Sequence, residues 1–498
     1  MDKAIKFGTD GWRAVIAEDF TFDNVRACAQ GVANYLSRAK LAERGLVIGY
    51  DTRFASEDFA AAAAEVIAGN KIKVTLCSKA APTPVISYAV TATKSAGGII
   101  ITASHNTGRW NGFKFKDEAG ASAPSEVAAE IEKNANEVLS TGKVKQLSLV
   151  EGLNNRLITY LDPDPAYFKQ LKRLVDLETI RRSHLKVIAD SMYGAGIGYF
   201  KELLKGGKIE VTEINNERNP CFPEIQPEPI AKNLTKLSKR VREQKADVGL
   251  ANDGDADRIG VIDEKGNFLN QHQVFALLAL YFLEARGERG AIVETLTDTT
   301  MLQILGKQFD VPVYETPVGF KYVAPMMIEK NALIGGEESG GYGFRGHIPE
   351  RDGILAGLYF LDFMIKTGKT PSQLLDYLFS KVGPHYYDRI DVHLEASIGL
   401  KPTLSYKHSR NGKVVSESTT ESSKEISEKL AKSSVSSIAG IKVARLDTTD
   451  GYKYYLTDDS WLLIRLSGTE PLIRIYAEGY TTEQVQKLLD GGKKLLGV

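Results

Sequence analysis

The sequence predicts an α/β protein with three related domains built on parallel strands, followed by a smaller α+β domain. Three observations carry that expectation. Short β-branched runs alternate with helix-period stretches of about a dozen residues, the signature of strands joined by crossover helices. The alternation comes round three times, and each round ends in an unusual polar loop. Near His385 the character then changes to a serine-, glutamate- and lysine-rich region. At 498 residues the chain exceeds one ordinary core, and roughly 100 to 200 residues per domain gives three or four.

The first round opens with FGTDGWR, Phe7 to Arg13, a glycine-punctuated loop holding an aspartate and an arginine. Residues 23–38 place Val25, Cys28, Val32 and Leu36 at helical spacing. Leu46 to Arg53 reads as a buried strand ending in charge, Ser56 to Ala68 as an alanine-rich helix, and Lys73 to Ser78 as the next strand. After Ala81-Pro-Thr-Pro84 and a short helix comes GGIIITASHN, where Ile99 to Thr102 are all β-branched before Ser104, His105 and Asn106 leave the apolar run together. Ser104 and Asn106 suit a turn or a helix cap. The end of a core strand is also where α/β sheets bind ligands.

In the second round His184 to Asp190 is a strand, Gly194 to Leu204 a glycine-led helix and Ile209 to Ile214 a strand. A proline-rich loop and a basic helix lead to ADVGLANDGDADR, Ala246 to Arg258. The third runs through strand Ala291 to Leu296, helix 298–308, strand Val311 to Thr316 and helix 320–330 to ALIGGEESGG, Ala332 to Gly341. Such repetition predicts terminal loops that face a common space. Beyond it, Ser405 to Ser437 reads as an exposed hairpin and helix, Ser460 to Glu478 as two strands around a tight loop, and 482–496 as an amphipathic helix.

Composition bounds the function. With 43% hydrophobic and 25% charged residues, and 63 basic against 63 acidic side chains, the chain is a soluble globular type whose net charge favours neither nucleic acid nor membrane. Any anion site is local. Cys28, Cys77 and Cys221 lack metal spacing and form no disulfide framework, which suits a reducing compartment. No run approaches the roughly 18 apolar residues of a span, and Met1 to Lys6 carries no signal core, so a cytoplasmic location is expected.

In DGDADR the alternating Asp253, Asp255 and Asp257 can converge on one hard cation. An EF-hand loop is the rival, and Glu264 does stand twelfth from Asp253, but Arg258 occupies the sixth position, where the sharp turn needs glycine, and the flanks read as strands. Magnesium fits better, because three carboxylates leave positions for a phosphate oxygen. The GAGIG turn after Asp190 lacks dinucleotide spacing and is read as packing.

TASHN, DGDADR, GEESGG and RLSGTEP, in this order, resemble the four signature loops of the α-D-phosphohexomutases, and the likeness runs from FGTDGWR to RLSGTEPLIR. It implies a four-domain architecture of three mixed-sheet α/β domains and a C-terminal α+β domain around a central cleft. The expected limits are 1–158, 159–264, 265–383 and 384–498. It also implies a phosphoryl group carried on Ser104 and lent to either end of a sugar monophosphate. Mg²⁺ would be held by Asp253, Asp255, Asp257 and the Ser104 phosphate, with Arg258 beside that phosphate. Arg13, His105 and Lys114 match the basic residues at the transfer point, one acting as general acid and base. Glu337 and Ser339 match the grip on sugar hydroxyls, and Arg465, Ser467, Gly468, Thr469 and Arg474 the clamp on the non-reacting phosphate. Glucose 1,6-bisphosphate is the implied activator, a sugar phosphate the implied partner, and a monomer or weak homodimer the implied state.

Physical chemistry supports those roles separately. Phosphoryl transfer needs in-line placement, a cation and fixed positive charge more than covalent help, and arginine's planar fork binds two phosphate oxygens at once. The chain departs from the family where Thr107 replaces a common proline, and where Gly341 and Phe320 stand in place of the histidines of mannose-tolerant members. TPVGFKYV, Thr316 to Val323, instead resembles the segment of glucose-specific members, with Lys321 matching their substrate-binding lysine. Glucose 1-phosphate and glucose 6-phosphate are therefore the expected pair, with mannose and glucosamine phosphates as alternatives within the class. A metal-dependent sugar phosphatase and a non-catalytic sugar-phosphate sensor are the readings from other classes.

Overall fold

Apolar β-branched runs bury most of their surface when they lie side by side at the centre of a sheet, and here they do so three times in one order. The computed structural model describes residues 4–223, 225–393, 430, 435–466 and 472–497. They form two compact units, Met1–Thr295 with Gly306–Asp376, and Leu296–Leu305 with Tyr377–Val498.

In the first unit one sheet runs Trp110–Lys116, Gly98–Ile101, Leu46–Tyr50, Val74–Cys77, with Trp12–Val15 and Ile158–Leu161 added at its two edges. A second runs Ile259–Ile262, Val248–Asn252, Lys186–Asp190, Glu210–Ile214, with Phe268–Leu269 outside the first of these. The third runs Tyr342–Phe344, Ile334–Gly336, Ile292–Thr295, Val313–Thr316. In each set of four the last three strands are parallel. The first turns back antiparallel to its neighbour. The sheets are thus mixed, and in all three the polar loop is the connection between the last parallel strand and its antiparallel return.

The return strand Trp110–Lys116 has no counterpart in the sequence-based reading, although WNGFKFK alternates. Phe113 and Phe115 enter the core, whereas Lys114 and Lys116 occupy the other face and are also buried. The helix expected over Gly194 to Leu204 is confined to Tyr199–Leu204. Its glycine-rich start is pressed instead against the aspartate loop, where Ala195 N donates to Gly254 O at 2.9 Å. The first sheet closes with Ile158–Leu161, parallel to Val74–Cys77. Helix Phe22–Arg38 is started by Thr21, whose side chain accepts from Asn24 N. It buries Val25, Cys28, Val32 and Leu36 as the periodicity requires.

In the second unit Tyr386–His393, Leu472–Gly479, Trp461–Leu466, Tyr452–Leu456, Ile441–Asp447 and Ser437–Ile438 form one antiparallel sheet in that order. Helix Thr482–Leu496 lays Val485, Leu488 and Leu489 on its apolar face. Most of the expected hairpin and helix over 405–437, and the tight loop 467–471, lie outside the described residues. No helix among the described residues is long and apolar enough to cross a membrane.

Candidate active site

Ile99, Ile100 and Ile101 anchor the first loop in the core, and the chain leaves them through Thr102, whose Oγ1 accepts from Ser104 N at 2.9 Å. Ser104 then adopts a left-handed backbone, φ 51°. From there its Oγ donates to Asp253 Oδ2 at 2.9 Å and lies 3.3 Å from His105 Nδ1. Gly254 makes this approach feasible, since a Cβ there would stand 2.3 Å from the Ser104 carbonyl oxygen.

Asp253, Asp255 and Asp257 are fully buried, and one carboxylate oxygen from each lies within 4.8 Å of the others. Asp253 Oδ1 is used by the loop itself, accepting from Asp257 N and Arg258 N at 3.0 and 3.2 Å. Asp255 Oδ2 accepts from Thr83 Oγ1 at 2.6 Å and Lys114 Nζ at 2.9 Å. Asp255 Oδ1 and Asp257 Oδ1 are buried without a hydrogen-bond donor. Buried carboxylate oxygens left so are costly, and two of them within a cluster of three buried carboxylates suit a hard divalent cation. Burial, then the charges of Asp257 and Asp255, hold the Asp253 carboxyl well above the usual carboxylate range. For Asp255 burial acts upward too, but Lys114 and the Thr83 hydroxyl outweigh it and hold the group down. The donor set therefore fits Mg²⁺.

Basic groups surround the cluster. Lys114, opposite Ile100 in the hairpin, pairs with Asp10 Oδ2 at 2.8 Å as well as with Asp255. Burial lowers its ammonium pKa, yet Asp10 and Asp255 more than reverse this and keep it protonated. Arg258 Nε stands 4.0 Å from Asp253 and 3.9 Å from Asp257. Arg13 donates to Asn106 Oδ1 at 2.8 Å. Half-buried His105 is held well below the ordinary histidine range by desolvation and by the Arg258 and Arg13 charges, so it is neutral.

The third loop joins through a residue that motif reading passed over. Arg351 pairs with Asp257 Oδ2 at 2.8 Å, Asp10 Oδ2 at 3.1 Å, Glu337 Oε2 at 3.2 Å and Glu350 Oε1 at 3.2 Å. Lys116 bridges Asp10 and Glu350. Asp10 sits in the FGTDGWR loop, but neither Lys116 nor Glu350 lies in a signature motif. Their signal was a charge alternating with core aromatics, or standing before a helix cap, and both patterns ordinarily mean solvent.

The structure thus brings together Ser104, His105, Arg13, Lys114, Asp253, Asp255, Asp257 and Arg258, with Glu337 tied in through Arg351. Ser339 lies in the 337–341 loop with its Oγ buried and without a hydrogen bond. Lys321 is set apart from the ion-pair network: its ammonium lies 5.1 Å from the Tyr322 ring centroid, beside a cavity of about 220 Å³ that Asp10 and Ser122 also line. In the second unit Arg465 and Arg474 face each other across two strands, Arg465 Nε 3.0 Å from Asp450 Oδ1 and Arg474 Nε 3.8 Å from Asp391 Oδ1. Ser467, Gly468 and Thr469 lie outside the described residues.

A repeated mixed sheet whose loops assemble a serine, three aspartates and fixed cations is the arrangement of a phosphohexomutase. The phosphoglucomutase/phosphomannomutase models match domain I at residues 4–141, domain II at 165–266, domain III at 270–382 and the C-terminal domain at 417–491. The chain belongs to the phosphoglucomutase/phosphomannomutase family, and as a phosphohexomutase it is an intramolecular phosphotransferase acting on sugar phosphates. It is 31% identical to a phosphoglucomutase/phosphomannomutase of Thermococcus kodakarensis over 98% of both chains. It is 27% identical to a phosphoglucosamine/phosphogalactosamine mutase of Sulfurisphaera tokodaii, again over 98% of each. A solved structure from Thermus thermophilus, named as a phosphomannomutase, superposes with a TM-score of 0.82 at 34% identity and full coverage of both chains.

Proposed function

We propose that this chain is a phosphoglucomutase, interconverting α-D-glucose 1-phosphate and glucose 6-phosphate through a phosphorylated Ser104 and a glucose 1,6-bisphosphate intermediate. The observation that supports the reading most is the Ser104 hydroxyl held 2.9 Å from Asp253 at the rim of three buried carboxylates. Asp253, Asp255 and Asp257 would hold Mg²⁺, with an oxygen of the Ser104 phosphate completing the site. Bound there, the ion would supply charge neutralisation for the phosphoryl oxygens. Ser104 Oγ carries the phosphoryl group to one sugar hydroxyl and recovers one from the other end. His105 Nδ1, 3.3 Å from that oxygen, takes the proton of the attacking sugar hydroxyl and gives it to Ser104 Oγ as the phosphoryl group leaves, and both movements reverse in the second transfer. Lys114, charged and engaged by two carboxylates, stays a fixed cation with Arg258 and Arg13 around the moving charge.

Glu337, Ser339 and Lys321 are assigned to the sugar, and Arg465, Ser467, Gly468, Thr469 and Arg474 to the phosphate that is not transferred. Domain limits of 1–158, 159–264, 265–383 and 384–498 go with this reading, as does glucose 1,6-bisphosphate as the priming activator. The choice of glucose rests on TPVGFKYV with its Lys321 and on the second glutamate of GEESGG. Initial rates with the 1-phosphates of glucose, mannose and glucosamine test it. Glucose is expected to give the highest kcat/KM, and a higher value for either of the others rejects the assignment. Release of inorganic phosphate at the rate of substrate loss identifies a phosphatase instead.

A further inference from the structure

Beneath the Ser104 loop lies Arg53, at the end of the parallel strand neighbouring Gly98–Ile101 and wholly inaccessible to solvent. All five of its guanidinium N–H groups have acceptors. Nε donates to Asp51 Oδ2 at 3.1 Å. Nη1 donates to Thr107 O at 2.8 Å and Trp110 O at 3.0 Å. Nη2 donates to Ser104 O and Asn106 O, both at 2.6 Å. The ring of Phe222, from the proline-rich loop of the second repeat, covers the guanidinium at 4.8 Å.

Asp51 on the other side is fixed by Arg53 N, the Ser56 hydroxyl and the Thr102 hydroxyl. That same Thr102 hydroxyl accepts from Ser104 N. Four carbonyls of one loop that point inward to a single planar fork leave the loop little choice of conformation, and the Ser104 carbonyl at least is buried with the guanidinium as its donor, while Thr107 O also accepts from Trp110 N at 3.0 Å. One of the four belongs to Ser104 itself, the residue held at positive φ.

We propose that Arg53 is a positioning residue for phosphoryl transfer. Its guanidinium is the template on which residues 104–110 are wound, and it fixes the direction in which the Ser104 hydroxyl meets the aspartate cluster. The proposal rests on the reading of Ser104 as phosphoryl carrier. A lysine cannot substitute, because one ammonium offers three donors from a point where the fork spans five acceptors. The substrate contacts are made by other residues, so loss of the template slows the transfer while leaving the affinity for the sugar.

The test uses the full chain as Arg53→Lys, and as the double variant Asp51→Asn with Arg53→Met, which removes the buried pair together and leaves no unpaired charge in the core. Each folded variant is assayed with glucose 1-phosphate and Mg²⁺. Phosphorylation of Ser104 by glucose 1,6-bisphosphate is followed by intact mass. A misplaced nucleophile is expected to lower kcat on the order of 10²-fold, with KM held within about threefold and Ser104 phosphorylation slowed in parallel. A folded variant of either kind that phosphorylates Ser104 at the wild-type rate overturns the proposal, and so does a loss that falls wholly in KM. Absence of any phosphoryl group on Ser104 in the wild-type chain overturns instead the reading beneath it.

Discussion

Ser104 occupies a backbone region that costs an L residue roughly 1 kcal/mol or more, and the surrounding bonds to Thr102, Asp253 and Arg53 hold it there. Ser104→Ala is expected to keep those backbone bonds and the fold while lowering mutase turnover by on the order of 10⁴-fold or more, as removal of a nucleophile does. A coupled assay for glucose 6-phosphate measures it. The serine and the three aspartates were legible in the sequence because their motifs are dense and polar at the end of apolar runs. Arg351, Lys116 and Arg53 were not, since each has the look of an ordinary surface charge until tertiary structure supplies its carboxylates or carbonyls. Asp190 is a further buried acid, raised to about 6 by desolvation. Its carboxyl binds its proton more tightly folded than unfolded, so its contribution to stability is complete at low pH and is lost as pH rises towards 6 and above. Asp190→Asn removes that loss, worth about 3 kcal/mol for a two-unit shift. The melting temperature should rise relative to wild type at pH 7.5 and by about a third as much at pH 4.5; equal rises would show that Asp190 is not the titrating group.

Among the elements, the three return strands do most to build the site, because each folds a motif loop back over the end of its sheet. Sequence periodicity located the parallel strands well, and helices 320–330 and 482–496 begin and end where expected. It passed over Trp110–Lys116 because a strand with phenylalanine on one face and lysine on the other reads as half-solvated, whereas here both faces are buried. The segment after Asp190 fails as a helix start for a related reason: three glycines leave the backbone free to follow the neighbouring aspartate loop more closely than a helix permits. The contact between the first two motif loops is equally intolerant of bulk. Gly254→Ala forces the aspartate loop away from the Ser104 carbonyl, and a displacement of that size is expected to reduce kcat by about 10²-fold. Steady-state kinetics beside a melting curve separate this from unfolding, since the melting temperature should move by only a few degrees.

At the scale of the molecule the first unit carries a largely buried field in which carboxylates outnumber basic groups, six to five: Asp10, Asp253, Asp255, Asp257, Glu337 and Glu350 against Arg13, Lys114, Lys116, Arg258 and Arg351. A divalent ion that binds the folded state alone relieves the excess, and at a hundredfold above its Kd adds about 2.7 kcal/mol. Mg²⁺ is therefore expected to raise the melting temperature of the wild-type chain and to have little effect on Asp255→Asn. A thermal shift unchanged by that substitution would reject Asp255 as a ligand.

The distance along the chain between Ser104 and Asp253, 149 residues, bears on how the enzyme comes into being. A ribosome that has delivered the whole first sheet has made the hydroxyl but none of the acids that receive it, and contacts of such long range form late. Refolding should accordingly restore helical signal well before it restores turnover, and the newborn first domain is inert until the second has been made.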